Sequence, residues 1–324
     1  MFAFFTSALG QIWWSLPYPE EDCTGRVIIV SGANTGLGRE AARHFTRLNA
    51  AKVILACRNI DKAEDARHDI EATTGRSGVV ESWQLDLSAV DSVKAFADRV
   101  AALDRLDILV NNASVLCFEW SLAEGHETMV TVNVISTFLL TLRLLPVMRR
   151  TAMRFNVTPR VVIVASDASF LTSFPERHAE NIIQRLQLNQ QYKDRYNVTK
   201  LLQLMGTREL ARACDASAKS KVIINVLNPG FCDTELFRDV PAPSSLVIRF
   251  GLAIFGRTPE IGSRTIMSAA FAGDDTHGRY MTNCRMHSWP SLIDGIEGKR
   301  LCERFWRELL QVLDDIDPDV SKNI

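Results

Sequence analysis

The chain has 324 residues and a net charge of −1 at pH 7; 47% of its residues are hydrophobic and 23% are charged. These values are typical of a globular protein with a sizeable core, and the near-neutral charge gives no reason to expect a nucleic-acid partner. Seven cysteines, an odd number without a C-x-x-C pair, predict reduced thiols in an intracellular protein and no zinc or other metal site.

The first 24 residues form an apolar and aromatic N-terminal extension. It has no basic residue before Arg26, and Pro17 and Pro19 interrupt it, so it predicts neither a secretory signal nor stable membrane insertion. Either its aromatic side chains dock on the domain, or they dip into a membrane surface. We therefore expect a cytoplasmic protein, with a peripheral membrane location as the alternative. The aromatic residues are Phe2, Phe4, Phe5, Trp13 and Trp14.

Six apolar stretches predict buried strands of a parallel sheet, with helical patterns between them. They read RVIIV, AKVILACR, VVESWQLDLS, LDILVNNAS, RVVIVASDAS and KVIINVLNPG. Strands that alternate with helices predict an α/β fold of the Rossmann type, a single doubly wound parallel sheet with helices on both faces. The predicted boundaries are an extension at 1–24, one domain at 25–280 and a C-terminal tail at 281–324.

A glycine-rich turn, SGANTGLG, follows the first strand and opens the first helix. Gly32, Gly36 and Gly38 have the spacing G-x-x-x-G-x-G. Glycine permits a tight turn and lets the backbone approach a pyrophosphate at a helix N-terminus. The position predicts a dinucleotide site, and a turn that only links strand to helix is the alternative.

The end of the second strand indicates which dinucleotide the turn would bind. An NAD site usually places a carboxylate there for the ribose hydroxyl, but this chain reads ACRN, with no acidic residue before Asp61. The Arg58 guanidinium suits a 2′-phosphate, which predicts a preference for NADP(H). Lys62 either adds a second charge or is a solvated lysine at the helix start.

The stretch YNVTK places Tyr196 and Lys200 on one helix face, because residues four apart are neighbours on a helix. An ammonium beside a phenol favours the phenolate, so the spacing predicts a lowered tyrosine pKa and a proton donor or acceptor. Tyr192 lies one turn earlier and has Tyr196 at i+4 in place of a lysine. A surface helix with a solvated lysine is the alternative.

Taken in order, these motifs resemble the short-chain dehydrogenase/reductase family, from about residue 25 to 280. SGANTGLG is similar to its glycine turn, and ACRN and HGRY resemble its retinol-dehydrogenase-like branch. The overall character resembles fungal members that act in secondary metabolism. The other matching motifs are LDLS with Asp86, NNAS with Asn112, TVNVISTF with Asn133, VIVASDAS with Ser166, YNVTK, and NPGF with Gly230 followed by Thr234.

The resemblance implies the roles of the site residues. Tyr196 would exchange a proton with the substrate oxygen, Lys200 would lower the tyrosine pKa and hold the nicotinamide ribose, Ser166 would bind the substrate oxygen, and Asn133 would hold a relay water. The residues that would bind the cofactor are Gly32, Asn34, Gly36, Leu37, Gly38, Arg58, Lys62, Asp86, Asn112, Tyr196, Lys200, Gly230 and Thr234.

The sequence departs from the family pattern in several places. Ser114 replaces a glycine beside the expected nicotinamide, which would strain the backbone if φ is positive there. Ala165 replaces a frequent serine. The stretch between Ser166 and Tyr196 is longer than usual and predicts an insertion that shapes substrate access and disfavours the family dimer. The apolar segment 245–256 is either a helix over the substrate pocket or a core helix.

These features predict an NADP(H)-dependent enzyme that interconverts a carbonyl and an alcohol on a small apolar substrate in secondary-metabolite biosynthesis. Two alternatives stay open. One is a retinol- or sterol-type dehydrogenase at a membrane surface. The other is a dinucleotide-sensing regulator without turnover, because a Rossmann fold alone does not establish catalysis. We expect a monomer in preference to an oligomer.

Overall fold

An eight-stranded sheet lies at the centre of the computed structural model, which describes residues 15–190, 192–237, 240–242 and 244–324, and only the backbone for 244–249. The described strands are β1 (Val27–Ser31), β2 (Lys52–Cys57), β3 (Val80–Gln84), β4 (Ile108–Asn111), β5 (Leu122–Ala123), β6 (His126–Glu127), β7 (Arg160–Val164), β8 (Ile223–Asn228), β9 (Tyr280–Thr282) and β10 (Arg285–His287). The strand order is β10-β9-β8-β7-β4-β1-β2-β3, all parallel except β10, and β5 and β6 form a separate hairpin.

Helices cover both faces of this sheet. The described helices are α1 (Gly36–Arg47), α2 (Ile60–Thr74), α3 (Val90–Ala101), α4 (Thr128–Phe155), α5 (Ile182–Leu186), α6 (Arg195–Asp215), α7 (Ser244–Phe255), α8 (Pro259–Phe271) and α9 (Gly295–Ile316). The two cores follow from the alternation of side chains along each strand. Ile28 and Val30 join the core under α1, α2 and α8, whereas Ile29 joins the core under α3, α4, α6 and α9.

The predicted doubly wound α/β fold is confirmed. The six stretches that the sequence singled out form β1 to β4, β7 and β8, and Gly75, with a φ of 68°, caps the end of α2. The sequence did not predict β9 and β10, which have three residues each and are joined by Asn283 and Cys284 with positive φ. Residues 281–324, expected as a tail, supply β10 and α9, and α9 packs on α6.

Helix α4 contains one irregular segment and one proline. Thr131–Ile135 is a π-helical segment, and Pro146 lies further along the helix. π segments are rare and often occur at functional sites. The helix is long and apolar enough to cross a membrane, but 89% of its apolar window is buried inside the protein, as in the core helix of a soluble fold.

The described part of the N-terminal extension docks on α1 and α8. Leu16 and Pro19 are buried, and the Tyr18 ring lies between the guanidinium groups of Arg47, 4.2 Å from its centroid, and Arg264, at 5.1 Å. This favours docking over a membrane contact for residues 15–23. The aromatic residues on which the membrane alternative depends, Phe2, Phe4, Phe5, Trp13 and Trp14, lie outside the described residues.

The segment 245–256 forms α7, as the sequence predicted. Phe250 is 70% exposed and Ile254 is 50% exposed. Neither side chain belongs to the two cores, so the interpretation as a core helix does not hold for the described side chains of α7.

Helices α4 and α6 approach each other closely at Gly206. A Cβ atom at this position would overlap the ring of Phe138, which is fully buried and packs edge-on against Trp306 with the ring centroids 5.9 Å apart. Trp306 therefore opposes a shift of the ring towards α9. The contact sets the separation of the two helices that carry Asn133 and Tyr196.

We expect Gly206→Ala to lower the free energy of unfolding by about 1–3 kcal/mol, the usual cost of an overpacked core. This loss would occur although alanine has a better helix propensity by ~1 kcal/mol. Gly251→Ala in α7 is the control, because its Cβ would meet Phe231 at an ordinary 3.5 Å and should be neutral or stabilising. Urea unfolding measures both variants, and equal effects would contradict the packing constraint.

Candidate active site

The parallel topology brings most of the predicted site residues to one edge of the sheet. Strands β1, β4, β7 and β8 are adjacent and end just before the glycine turn, Asn112, Ser166 and Gly230, respectively. The carboxyl ends of parallel strands meet at one edge, where open α/β sheets place their ligands. The site thus combines segments that are up to ~200 residues apart in sequence.

The glycine turn requires glycine for steric reasons. Gly32 has a φ of 65°, and a Cβ there would lie 2.9 Å from the Ala113 Cα; a Cβ on Gly38 would lie 2.5 Å from the Gly32 carbonyl oxygen. Helix α1 starts at Gly36, has no acidic residue in its first turn, and receives no side-chain cap from Thr35. Its first N–H groups and its positive end therefore suit a pyrophosphate.

Asn112 holds this turn in its conformation through hydrogen bonds. Its Nδ2 donates to the carbonyl oxygens of Ser31 at 3.0 Å and Gly32 at 3.2 Å, and its backbone N–H donates to the Ser31 hydroxyl at 3.0 Å. The predicted cofactor residue thus holds the turn in place with its side chain. Thr234 lies over the same turn, 3.4 Å from where a Gly36 Cβ would be, whereas Asn34 and Leu37 are half-buried in it.

The residues predicted to select the dinucleotide surround the carboxyl ends of β2 and β3. Arg58 and Lys62 are exposed after β2, and the Asn59 side chain caps α2 by accepting a hydrogen bond from the Lys62 N–H at 2.8 Å. Asp86 is half-buried after β3, and its Oδ1 accepts hydrogen bonds from the backbone N–H and the hydroxyl of Ser88. Two cations near the end of β2 fit a 2′-phosphate.

The structure brings Tyr196 and Ser166 together. Ser166 follows β7, its hydroxyl accepts a hydrogen bond from the Ala168 N–H at 3.2 Å, and it also hydrogen-bonds Tyr196. Burial raises the pKa of the tyrosine, and the bond with Ser166 opposes that rise. The expected lowering of the pKa by Lys200 is not found, because desolvation of the phenolate raises the pKa and the opposing contribution comes from Ser166.

Lys200 is buried below Tyr196. Its Nζ lies 5.6 Å from the centroid of the tyrosine ring and donates to the Val164 carbonyl oxygen and to Gln203 Oε1, both at 3.1 Å. Burial lowers the pKa of the lysine from 10.5 to about 7. This ammonium is thus held by a strand end and by its own helix, which excludes the solvated surface lysine.

Asn133 lies in the π segment of α4 and its side chain is fully engaged. Its Oδ1 accepts from the Ser114 hydroxyl and the Val115 N–H, both at 2.9 Å, and its Nδ2 donates to Val115 and Thr199. Ser114 does not have a positive φ, so the backbone strain expected for a non-glycine residue there does not arise. The serine instead joins the asparagine network.

Sequence analysis missed a buried ion cluster at the N-terminus of α6. The Arg195 side chain is fully buried, donates to Glu176 Oε1 at 3.2 Å, and lies 3.9 Å from Glu127 Oε2. Glu127 caps the start of α4, and burial raises its pKa. The cluster connects the helix of Tyr196, the helix of Asn133 and the insertion. Only the position of Arg195 next to Tyr196 could have drawn attention to it.

The insertion between Ser166 and Tyr196 is held at its middle and near its last residues. At the middle, Glu308 of α9 accepts from the Ile182 N–H at 2.7 Å, at the start of α5. Near the last residues, the Tyr192 hydroxyl donates to the Glu119 carbonyl oxygen in the loop after β4. Phe118 and Trp120, which flank Glu119, are exposed. The insertion thus reaches the loop beside the N-terminus of α6.

A cavity of about 680 Å³ lies between α5 and α9. Its lining includes Glu180, Gln184 and Arg304 and none of the predicted site residues. The chemistry of the side chains, and not cavity volume, therefore identifies the candidate active site.

Known proteins resemble this chain along most of its length. A model of short chain dehydrogenases matches residues 26–176. The chain is 42% identical over 321 residues to the short chain dehydrogenase/reductase dmxR8 of Cryptosporiopsis sp., covering 97% of this chain and 98% of that protein. It is 43% identical over 283 residues to the short chain dehydrogenase atnD of Emericella nidulans, covering 86% and 89%.

A solved structure shares the fold. The Pseudomonas aeruginosa RhlG/NADP active-site complex superposes with a TM-score of 0.61 at 24% identity, over 82% of this chain and 97% of that chain. The chain belongs to the short-chain dehydrogenase/reductase family, as its similarity to dmxR8 along almost the whole length establishes.

We expect Arg195→Met to lower the free energy of unfolding by about 3–5 kcal/mol at pH 8, because it leaves two buried carboxylates without their counter-charge. Protonation relieves that cost, so the destabilisation should shrink as the pH falls towards 5.5. Denaturant unfolding at both pH values measures it.

Arg154→Met is the matched control for Arg195→Met. Arg154 pairs with Asp104 on the surface, where the two side chains are 62% and 85% exposed, so its loss should change stability by less than ~0.5 kcal/mol at either pH. A destabilisation by Arg195→Met that does not vary with pH would show that the hydrogen bonds to Leu188 and Gln190, and not the charges, carry the effect.

Proposed function

We propose that the chain is an NADP(H)-dependent oxidoreductase that interconverts a carbonyl and an alcohol on a small apolar substrate. The observation that carries the proposal is the cluster of Ser166, Tyr196 and Lys200 at the sheet edge that also carries the glycine turn. A phenol that is hydrogen-bonded to a hydroxyl and set above an amine can exchange a proton with a substrate oxygen. The cofactor, when bound, supplies or accepts the hydride.

The residues of the glycine turn would hold the cofactor. Backbone N–H groups from Gly36 to Gly38 would bind the pyrophosphate, Arg58 and Lys62 would bind a 2′-phosphate, and Asp86 would contact the adenine. Asn34, Leu37, Gly230 and Thr234 would line the same groove, and Asn112 would act through the turn that it fixes. The NADP complex of the RhlG structure agrees with this choice of dinucleotide.

Tyr196 is a neutral phenol at pH 7, because burial raises its pKa, and its hydroxyl holds the proton that reduction of a carbonyl requires. A carbonyl oxygen that gains negative charge during reduction would accept this proton and a hydrogen bond from Ser166. We therefore propose a ketoreductase, and the resemblance to fungal members favours a role in secondary-metabolite biosynthesis.

The surroundings of the site support an apolar substrate. Phe118 and Trp120 are exposed on the loop that Tyr192 holds, one helical turn before Tyr196. Contact with an apolar ligand would remove the surface of these side chains from water, which is favourable. We further propose a cytoplasmic location, consistent with the buried position of the apolar helix α4.

We expect Tyr196→Phe to reduce carbonyl turnover by a factor on the order of 10²–10⁴ while NADPH still binds, because only the proton donor is lost. NADPH oxidation with a panel of ketones and aldehydes gives the rate, and fluorescence titration gives the affinity. Tyr192→Phe is the control and should retain most of the activity. Retention of more than about a tenth of the wild-type rate in Tyr196→Phe would refute the role. Wild-type protein that binds NADPH without turnover would favour a dinucleotide sensor.

We expect the wild type to bind NADPH about tenfold to a few hundredfold more tightly than NADH, because charge-assisted bonds to a 2′-phosphate contribute roughly 1.5–3 kcal/mol each. Arg58→Ala should remove most of this difference by weakening NADPH binding alone. Arg76→Ala, a basic residue at the far end of α2, is the control. Dissociation constants from fluorescence titration would decide, and equal losses for both cofactors would mean that Arg58 does not bind the phosphate.

We propose that the protein is a monomer, since the chain covers its own α6. Helix α9 packs along α6, and Phe305, Leu309 and Leu313 of α9 are buried there. A second molecule would have to displace α9 or the insertion to reach this helix. Light scattering should therefore give the mass of one chain at micromolar concentration, and a stable dimer or tetramer would end the proposal.

A further inference from the structure

A buried glutamine links Lys200 to Asn133. Gln203 is one helical turn after the lysine and is fully buried. Its Oε1 accepts a hydrogen bond from Lys200 Nζ at 3.1 Å, and its Nε2 donates to the backbone carbonyl oxygen of Asn133 at 2.7 Å. The Gln203 amide thus connects the lysine to the asparagine backbone, because its oxygen accepts one hydrogen bond and its nitrogen donates the other.

The π segment makes this contact possible. In Thr131–Ile135 the hydrogen bonds run to the fifth residue along the helix, as the Ser136 N–H donates to the Thr131 carbonyl oxygen. The shift re-aims the carbonyl groups of one turn, so that a side chain of another helix can donate to them. Asn133 is at the centre of this segment, and α6 passes it with Thr199 and Gln203.

We propose that Gln203 is a positioning residue that holds Lys200 beneath Tyr196 and occupies, with its own amide, the place of a water between the lysine and Asn133. The inference rests on the proposed function, for which the sequence predicted a relay water at this asparagine. An amide donates and accepts hydrogen bonds but does not pass a proton on as water does. The link between Lys200 and the Asn133 backbone is therefore a fixed hydrogen-bonded contact and not a path for a proton.

In the described part of the chain, Lys200 Nζ donates to the Val164 carbonyl oxygen and to Gln203 Oε1, and its ionisable neighbour on α6 is Tyr196. Among the residues that the structure describes, no carboxylate or guanidinium group contributes to the ionisation of Lys200, whose shift comes from burial alone. A change at Gln203 must therefore act directly on the charge and position of the lysine.

Three substitutions distinguish the hydrogen bond of Gln203 to Lys200 from its hydrogen bond to Asn133. Gln203→Glu keeps an acceptor for Lys200 but loses the donor for Asn133, Gln203→Met loses both, and Gln203→Asn is one methylene too short to span both groups. Thr207→Val is the matched control, because Thr207 is buried one turn further along α6 and its hydroxyl donates to the Gln203 backbone carbonyl oxygen and not to the side-chain amide. If Gln203→Met does not fold, the glutamate and asparagine variants still test the proposal.

The first measurement is the titration of Lys200 in protein with ¹³C-labelled lysine side chains, with the signal assigned by its loss in Lys200→Met. We expect the lysine to titrate at a higher pH in Gln203→Glu, by about one unit or more, because a carboxylate beside an ammonium stabilises its charge. It should titrate as in the wild type in Thr207→Val. This readout needs no turnover, so it remains decisive if the proposed function fails.

The second measurement is the pH profile of kcat with NADPH and a carbonyl substrate. Gln203→Met should reduce kcat by about tenfold or more with little change in the KM for the carbonyl. Gln203→Glu should shift the pH profile of kcat to higher pH, as it shifts the titration of Lys200. Unchanged lysine titration in all Gln203 variants, with only stability reduced, would overturn the proposal and make Gln203 an ordinary core residue.

Discussion

The contact between α4 and α6 fixes the groups on which the chemistry depends. Asn133 in the π segment of α4 bonds Thr199 through its side chain and Gln203 through its backbone. Lys200 lies between these two residues on α6 and reaches across to the end of β7. Because Tyr196 is on the same helix, the position of its hydroxyl beside Ser166 follows from how α6 is held against α4.

Two buried cations near this contact are stabilised in different ways. Arg195 cannot lose its proton, so its burial requires the carboxylates of Glu176 and Glu127. Lys200 has only neutral acceptors, and its pKa falls to about 7 instead. The arginine is thus suited to fixing three segments at all pH values near neutrality, whereas the lysine can change its charge in that range. This difference suits Arg195 for a structural role and Lys200 for a chemical role.

The sequence predicted those parts of the fold and site that depend on local pattern. Apolar β-branched runs marked the six longer strands, and the spacing of Tyr196 and Lys200 placed both on one helix face. The three-residue strands β9 and β10 have no such run. The partners of Lys200 and Arg195 depend on tertiary contacts, such as the one between Gln203 and Asn133, 70 residues apart. Burial reversed the expected shift of the tyrosine pKa, and burial cannot be read from the spacing of two residues.

The insertion before α6 is held more firmly at its middle than where it meets the loop after β4. Glu308 and Arg304 of α9 bond its backbone between Ala179 and Ile183, so displacing that part would break several hydrogen bonds at once. Near its last residues, the bond from the Tyr192 hydroxyl to the Glu119 carbonyl oxygen joins it to the loop that carries Phe118 and Trp120. A single hydrogen bond to a partly exposed group contributes about 1 kcal/mol. The contact between the insertion and this loop is therefore the least costly of these to break, whereas Arg195 holds the neighbouring Leu188 and Gln190 with two further hydrogen bonds.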